Sequence, residues 1–301
     1  MIDLKRRLTD ILSVFDPQRR WIERVTMYLS PYTSSTHSAL YAGSGMAPIM
    51  KHPQPTTETP TGYESVRTFL TAVALLAISS FGGLLIIDGF SRLQPLVGLG
   101  DSFALTFLVG GGLATLWFAA VGVAYLRFRP VTIHYDLRWP TLRDGGWILG
   151  GLAGIIVVSL LAEVVVNLFG SGSATNISTA AAIENPVFIY SVFLVGNLLF
   201  IAPIEEFLFR GVIQGRLRES FGTITAITIT SVGFGLTHIP SYWFGGSDLL
   251  SVGVWGAVVS IAATGFILGY LYERTNSLLT VSIIHGLVNT VGIGLALLAV
   301  L

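Results

Sequence analysis

The chain has 301 residues, of which 52% are hydrophobic and 11% charged. Soluble domains carry about 25% charged residues, so this composition, with a mean hydropathy of +0.72, belongs to a multi-span membrane protein and not to an ordinary soluble domain. The 17 basic and 17 acidic residues cancel, leaving no field that would recruit nucleic acid, and the absence of cysteine excludes disulfides, thiolate catalysis and Cys-type metal sites.

From Met1 to Ser30, Ile2, Leu4, Leu8, Ile11, Leu12 and Phe15 recur at roughly helical spacing around Lys5, Arg6 and Arg7. The pattern predicts an amphipathic helix on the cytoplasmic membrane surface; no apolar run follows the early charges, so no cleaved signal peptide is expected. Tyr32 to about Gly62 is rich in Ser, Thr, Pro and Gly without periodicity, the composition of a disordered linker.

Apolar runs of about 20 residues, long enough to span a bilayer, then follow one another to the C-terminus. They are placed near 68–87, 103–125, 145–169, 186–213, 223–239, 249–271 and 277–301. The expected fold is an all-α polytopic transmembrane bundle of about 7–8 spans, with the fourth helix free to continue toward Glu219. Lys and Arg orient such bundles. They crowd the N-terminal segment, the loop with Arg127, Arg129, Arg138 and Arg143, the loop with Arg216 and Arg218, and the loop with Arg274. The intervening loops hold only Arg92. The N-terminus is therefore expected in the cytoplasm and the C-terminus outside.

Gly146, Gly150 and Gly154, and Gly265 and Gly269, recur at four-residue spacing, which lets helix backbones approach closely within a bundle. Glu163 and Asn167 are also four apart, and a mutual hydrogen bond near the outer end of their span is expected.

The densest polar stretch closes the fourth run as Pro203-Ile-Glu-Glu-Phe-Leu-Phe-Arg210. Ionisable groups at membrane depth cost about 2.5–3.5 kcal/mol each on insertion scales and mark function. On a helix Glu206 faces Arg210 one turn on, with the acid N-terminal. Glu205 is rotated by about 100° and has no local counter-charge, which suits a group that takes and returns a proton. Of five histidines, His37, His52 and His134 lie in aqueous segments. His238 ends a span just before Pro240, and His285 shares a helix face with Asn289. At ~1.5 Å rise per residue, Glu205, His238 and His285 lie about 16, 24 and 12 Å from the inner ends of their spans, so all three can meet around one intramembrane cavity.

A glutamate with a histidine can hold and deprotonate a water, while a second histidine and an asparagine amide can donate to the oxyanion formed when that water attacks a carbonyl. That is peptide-bond hydrolysis. Glu205, His238 and His285 could instead bind zinc with an open position for water, although the helix signature His-Glu-x-x-His is absent.

These residues resemble the CAAX prenyl protease 2 family and its prokaryotic relatives, the CPBP or Abi membrane-embedded proteases. The family pattern is Glu-Glu-x-x-x-Arg, Phe-x-x-x-His and His-x-x-x-Asn/Asp; the chain reads Glu205-Glu206-Phe-Leu-Phe-Arg210, Phe234-Gly-Leu-Thr-His238 and His285-Gly-Leu-Val-Asn289 in that order. The resemblance covers roughly Pro186 to the C-terminus and divides the chain into a tail, 1–66, accessory helices, 67–185, and a catalytic core, 186–301. It implies that Glu205 and His238 activate the water, His285 and Asn289 stabilise the oxyanion, and Glu206 and Arg210 form a supporting ion pair. Family members are often labelled metalloproteases while the eukaryotic ones look like glutamate-dependent hydrolases, so zinc stays open. The implied activity is that of an integral membrane endopeptidase acting on a membrane-associated or lipid-anchored peptide or protein. The competing reading is an inactive adaptor or immunity protein, or a small-solute transporter. Polar residues concentrated in spans four, five and seven favour one hydrolytic site over a transport path.

Overall fold

The computed structural model describes residues 62–131, 141–169 and 174–301, all within the compact unit Pro55–Leu301. The amphipathic helix and linker expected before Gly62, and His37, His52 and His134, lie outside the described residues. Those described are helical or in turns, with no strand. The elements are α1 (Gly62–Leu96), α2 (Phe103–Phe128), α3 (Leu142–Leu168), α4 (Ile177–Ala182), α5 (Pro186–Arg218), α6 (Thr223–Leu236), α7 (Ile239–Phe244), α8 (Val252–Thr275) and α9 (Leu278–Leu298).

Six helices, α1, α2, α3, α5, α8 and α9, are long and apolar enough to cross a membrane. The fifth expected span departs from that pattern: α6 has 14 residues, a rise of about 21 Å, and stops before His238. The crossing is nevertheless completed by α7. Ser220, before α6, bonds to Thr68 at 2.8 Å, and Arg218 reaches Glu273 at 3.3 Å. Beyond α7, Ser247 Oγ donates to the Thr175 carbonyl at 2.8 Å, at the end of the bundle opposite Thr68. The described residues thus pass through the bundle seven times, six on the long helices and once on the broken pair α6 and α7. As expected, the helix bearing the two glutamates continues past 213, to Arg218.

Local chemistry sets the junctions. Thr141 and Asp144 form a reciprocal capping box at the start of α3. Between α8 and α9 the turn is minimal: Asn276 takes the left-handed conformation at φ 50°, which Asn tolerates, and Ser277 Oγ then accepts the Thr280 N–H at 3.1 Å. α9 therefore starts at once, antiparallel to α8, and carries His285 two turns into the bundle.

Two apolar cores flank the polar stretch. One joins Ala72 and Leu75 of α1, Val121 of α2, Leu208, Phe209, Val212 and Ile213 of α5, and Phe234 of α6. The other joins Ile155 of α3, Leu268 and Leu271 of α8, and Val281 and Ile284 of α9. Outward, Phe81, Leu85, Leu160, Leu199, Val259 and Leu295 are exposed, the apolar surface that a lipid-embedded bundle presents.

Where helices touch, small residues set the spacing, since association within lipid depends on close packing. A Cβ on Gly235 would lie 2.6 Å from the Val258 carbonyl oxygen, and one on Gly286 would lie 3.2 Å from Leu198 Cα. The expected roles of Gly265 and Gly269 hold, both facing α5 and α6 side chains. In α3 the expectation is corrected: Gly146 and Gly150 face nothing within 4 Å, Gly154 makes an ordinary contact with Ile267, and the tight position is Gly151, against Leu271. The helix register turns Gly146 and Gly150 away from α8. Asn167 Nδ2 donates to Glu163 Oε1 at 3.2 Å on an exposed face, as the spacing predicts.

Candidate active site

The helix that carries the two glutamates is not a regular α-helix. Within α5, Asn197–Ile201 and Phe207–Gln214 are π-helical, on either side of an α-helical turn, Ala202–Glu206. Pro203 has no N–H to donate, and the Ala202 N–H reaches back to the Asn197 carbonyl. Such widened turns occur frequently at functional sites.

Glu206 and Arg210 are both fully buried. Arg210 Nη1 donates to Glu206 Oε1 at 2.9 Å, as the four-residue spacing predicts. The second arm, Nη2, donates to the Gly265 carbonyl at 3.1 Å, and the guanidinium lies over the Phe234 ring, Cζ at 4.6 Å from its centroid. A buried cation is thus met by a carboxylate, a carbonyl dipole and an aromatic face. One turn further, Gln214 Nε2 repeats the device, donating to the Gly269 carbonyl at 3.2 Å and to Glu273 at 2.9 Å. Glycines at 265 and 269 let these side chains reach the α8 backbone.

Glu206 does more than pair with Arg210. Its Oε1 also meets His285 Nδ1 at 2.7 Å. A carboxylate in that position accepts a hydrogen bond from Nδ1–H and so keeps the proton on Nδ1, and the ring exchanges protons through Nε2. That nitrogen lies 3.7 Å from Glu205 Oε2, too far for a direct hydrogen bond and close enough for one water to touch both. The Glu205 side chain is 15% exposed and that of His285 4%, so Glu205 is the more exposed end of a chain running Arg210, Glu206, His285, Glu205. Glu205 thus has a neighbour after all, supplied from α9.

His238 sits at the break between α6 and α7. Its N–H bonds to the Gly235 carbonyl at 3.1 Å, leaving the Phe234 carbonyl to accept from His238 Nδ1 at 2.8 Å and from Thr237 Oγ1. Nδ1 is therefore the protonated nitrogen and Nε2 is free. The Phe234 ring ties the two imidazoles together, edge-on to His238 at 4.9 Å and to His285 at 5.7 Å between centroids. Glu205 and His238 do not touch directly; Phe234 stands between the histidines and Arg210.

Asn289 donates from Nδ2 to Asn197 Oδ1 at 3.2 Å. Asn197, 2% exposed, belongs to no motif, and its one signal in the sequence is an amide within the apolar run 187–202. Among the described residues no three His, Asp or Glu side chains are grouped so as to hold a metal ion. With Nδ1 of each ring on a protein acceptor, the Nε2 atoms of His238 and His285, together with Glu205, are the atoms that a zinc ion would take, since a ligating histidine commonly donates its other N–H to a carboxylate or carbonyl.

Residues 187–291 match the protein family described as type II CAAX prenyl endopeptidase, Rce1-like. Comparison with curated proteins and with solved structures gives no match. The matched segment opens in the first turn of α5 and closes on α9 just past Asn289, so it holds all of the converging side chains while leaving α1 to α4 outside. The likeness to that family is therefore carried by the segment that builds the site.

Proposed function

We propose that this membrane protein hydrolyses a peptide bond near the C-terminus of a lipid-anchored substrate, prenylated CAAX-type peptides being the class the family name points to, without a bound metal. The observation that carries this reading is the geometry of His285, with Nδ1 on Glu206 and Nε2 3.7 Å from Glu205. Water held there gives one proton to the Glu205 carboxylate as its oxygen attacks the scissile carbonyl. His238, its Nδ1–H spent on Phe234, offers Nε2 as acceptor to the second hydrogen of that water. The oxyanion is met by the remaining Nδ2 hydrogen of Asn289 and by Nε2–H of His285, a proton that the ring takes from solvent before the attack and keeps through the cycle. Glu205 then returns its proton to the departing amine nitrogen, so the C–N bond breaks and a carboxylate and an amine are released. Arg210 takes no part in bond making; it neutralises Glu206.

The test is cleavage of a quenched peptide ending in farnesyl-cysteine and three further residues, beside its unprenylated counterpart, by the full chain in liposomes. Glu205→Gln and His238→Ala are expected to lower kcat by about 10²–10⁴-fold. Cleavage by both variants at the parental rate overturns the assignment. Loss of activity with a chelator and its return with zinc overturns the metal-free scheme, and a parent inert on both peptides favours an adaptor role.

A further inference from the structure

The oxyanion role asked of Asn289 requires its amide to be held in one orientation, and α9 alone does not hold it. On a helix face an asparagine rotates freely about χ2 unless a partner fixes it. The structure supplies that partner from a different helix. Asn197 Oδ1 accepts one of the two Nδ2 hydrogens of Asn289 at 3.2 Å, and the approach is enforced by the backbone. Gly286, directly after His285, lets α9 close onto the π-helical turn that starts at Asn197; a Cβ there would meet Leu198 Cδ1 at 2.8 Å and Leu198 Cα at 3.2 Å. An amide buried to 2% exposure in an apolar run is costly unless it is bonded, and this bond is the one its side chain makes among the described residues.

We infer that Asn197 is a positioning residue of the hydrolytic site: by accepting one N–H it fixes the Asn289 amide plane, so that the second N–H is presented to the reacting oxygen. The inference rests on the hydrolase reading above. Asn197 itself touches neither Glu205 nor His285, so its influence passes through Asn289. An asparagine at 289 meets an acceptor at 197; an aspartate at 289 would need a donor there, which Asn197 provides by turning its own amide. The pair is thus reciprocal, and an acceptor-only residue at 197 forbids an acceptor-only residue at 289.

Four variants of the full-length protein in liposomes, assayed on the quenched farnesylated peptide, test this. Asn197→Leu keeps the branched shape and removes the acceptor; kcat is expected to fall about 10–100-fold, the range for a misplaced catalytic group, with KM changed by less than about twofold. Asn197→Asp keeps an acceptor and retains kcat within about threefold. Asn289→Asp has no N–H to offer the oxyanion and is expected to lose turnover whether residue 197 is asparagine or aspartate. Thermal unfolding of Asn197→Leu, Asn289→Leu and their double variant is read in parallel: the double is expected to lose no more Tm than the worse single, because the bond is already gone. Parental kcat in Asn197→Leu overturns the inference while leaving the hydrolase intact. So do additive Tm losses. A parent that cleaves nothing overturns the hydrolase and the positioning role together.

Discussion

Arg210→Met isolates the electrostatics that support the site. The methionine fills most of the space beside Phe234 and Phe209 but leaves Glu206, which is fully buried, facing only His285 Nδ1. Removing one member of a buried ion pair costs about 3–5 kcal/mol, chiefly because the other charge is left uncompensated. Removing both members costs less, so Glu206→Leu with Arg210→Met is expected to be more stable than Arg210→Met alone. It is not expected to return to the parental value: the His285 Nδ1–H loses its acceptor, at about 1–3 kcal/mol for a buried orphan donor. Unfolding of the purified protein in mixed micelles with increasing SDS reads both numbers. A loss below about 1 kcal/mol for Arg210→Met, the range of exposed pairs, would refute the claim that this ion pair is dry and unscreened. Additive losses in the double variant would refute the coupling itself.

Three further outcomes follow from the same packing. Glu205→Gln makes no new void and removes only a 3.7 Å approach to His285, so stability should change by less than about 1 kcal/mol while turnover disappears; a matching loss of both would make Glu205 structural. Gly235→Ala places a Cβ 2.6 Å from the rigid Val258 carbonyl and should cost about 1–3 kcal/mol or more, with Phe234 and both imidazoles displaced, measurable as joint loss of Tm and kcat. At the opposite end of the bundle from Thr68, hydrogen bonds from Ser102 Oγ and the Phe103 N–H hold the Glu184 carboxyl below its ordinary value. Its contribution is therefore present above the ordinary carboxylate range and is lost as the pH falls through the lowered native value. Glu184→Gln should flatten that part of the stability profile; an unchanged acid limb would remove Glu184 from the account.

Much of the fold is written in one-dimensional periodicity. Apolar runs gave the helices because lipid accepts little else. The fifth run is where that logic fails. Hydropathy counts Thr223 to Ile239 as one span, but Pro240 and the bond between His238 and the Phe234 carbonyl break it, and hydropathy is blind to a break that leaves residues on both sides apolar. Likewise Gly146 and Gly150 satisfy a small-residue spacing that Gly151, one position out of register, puts to use.

The site was legible as residue types and not as partners. The Glu206 to Arg210 pair follows from helical spacing, whereas the contact of Glu206 with His285 requires knowing which face of α5 meets α9. At 3.6 residues per turn, Asn197 and Glu206 lie about half a turn out of phase and could not both face one neighbour. The π-helical turn at Asn197–Ile201 turns the chain less per residue than an α-helix, and so takes back part of that rotation. Asn197 then meets Asn289 while Glu206 meets His285 one turn away along α9. The departure from ideal helix geometry, which no periodicity rule applied to apolar residues registers, is thus what lets one helix hold both ends of the histidine and asparagine motif.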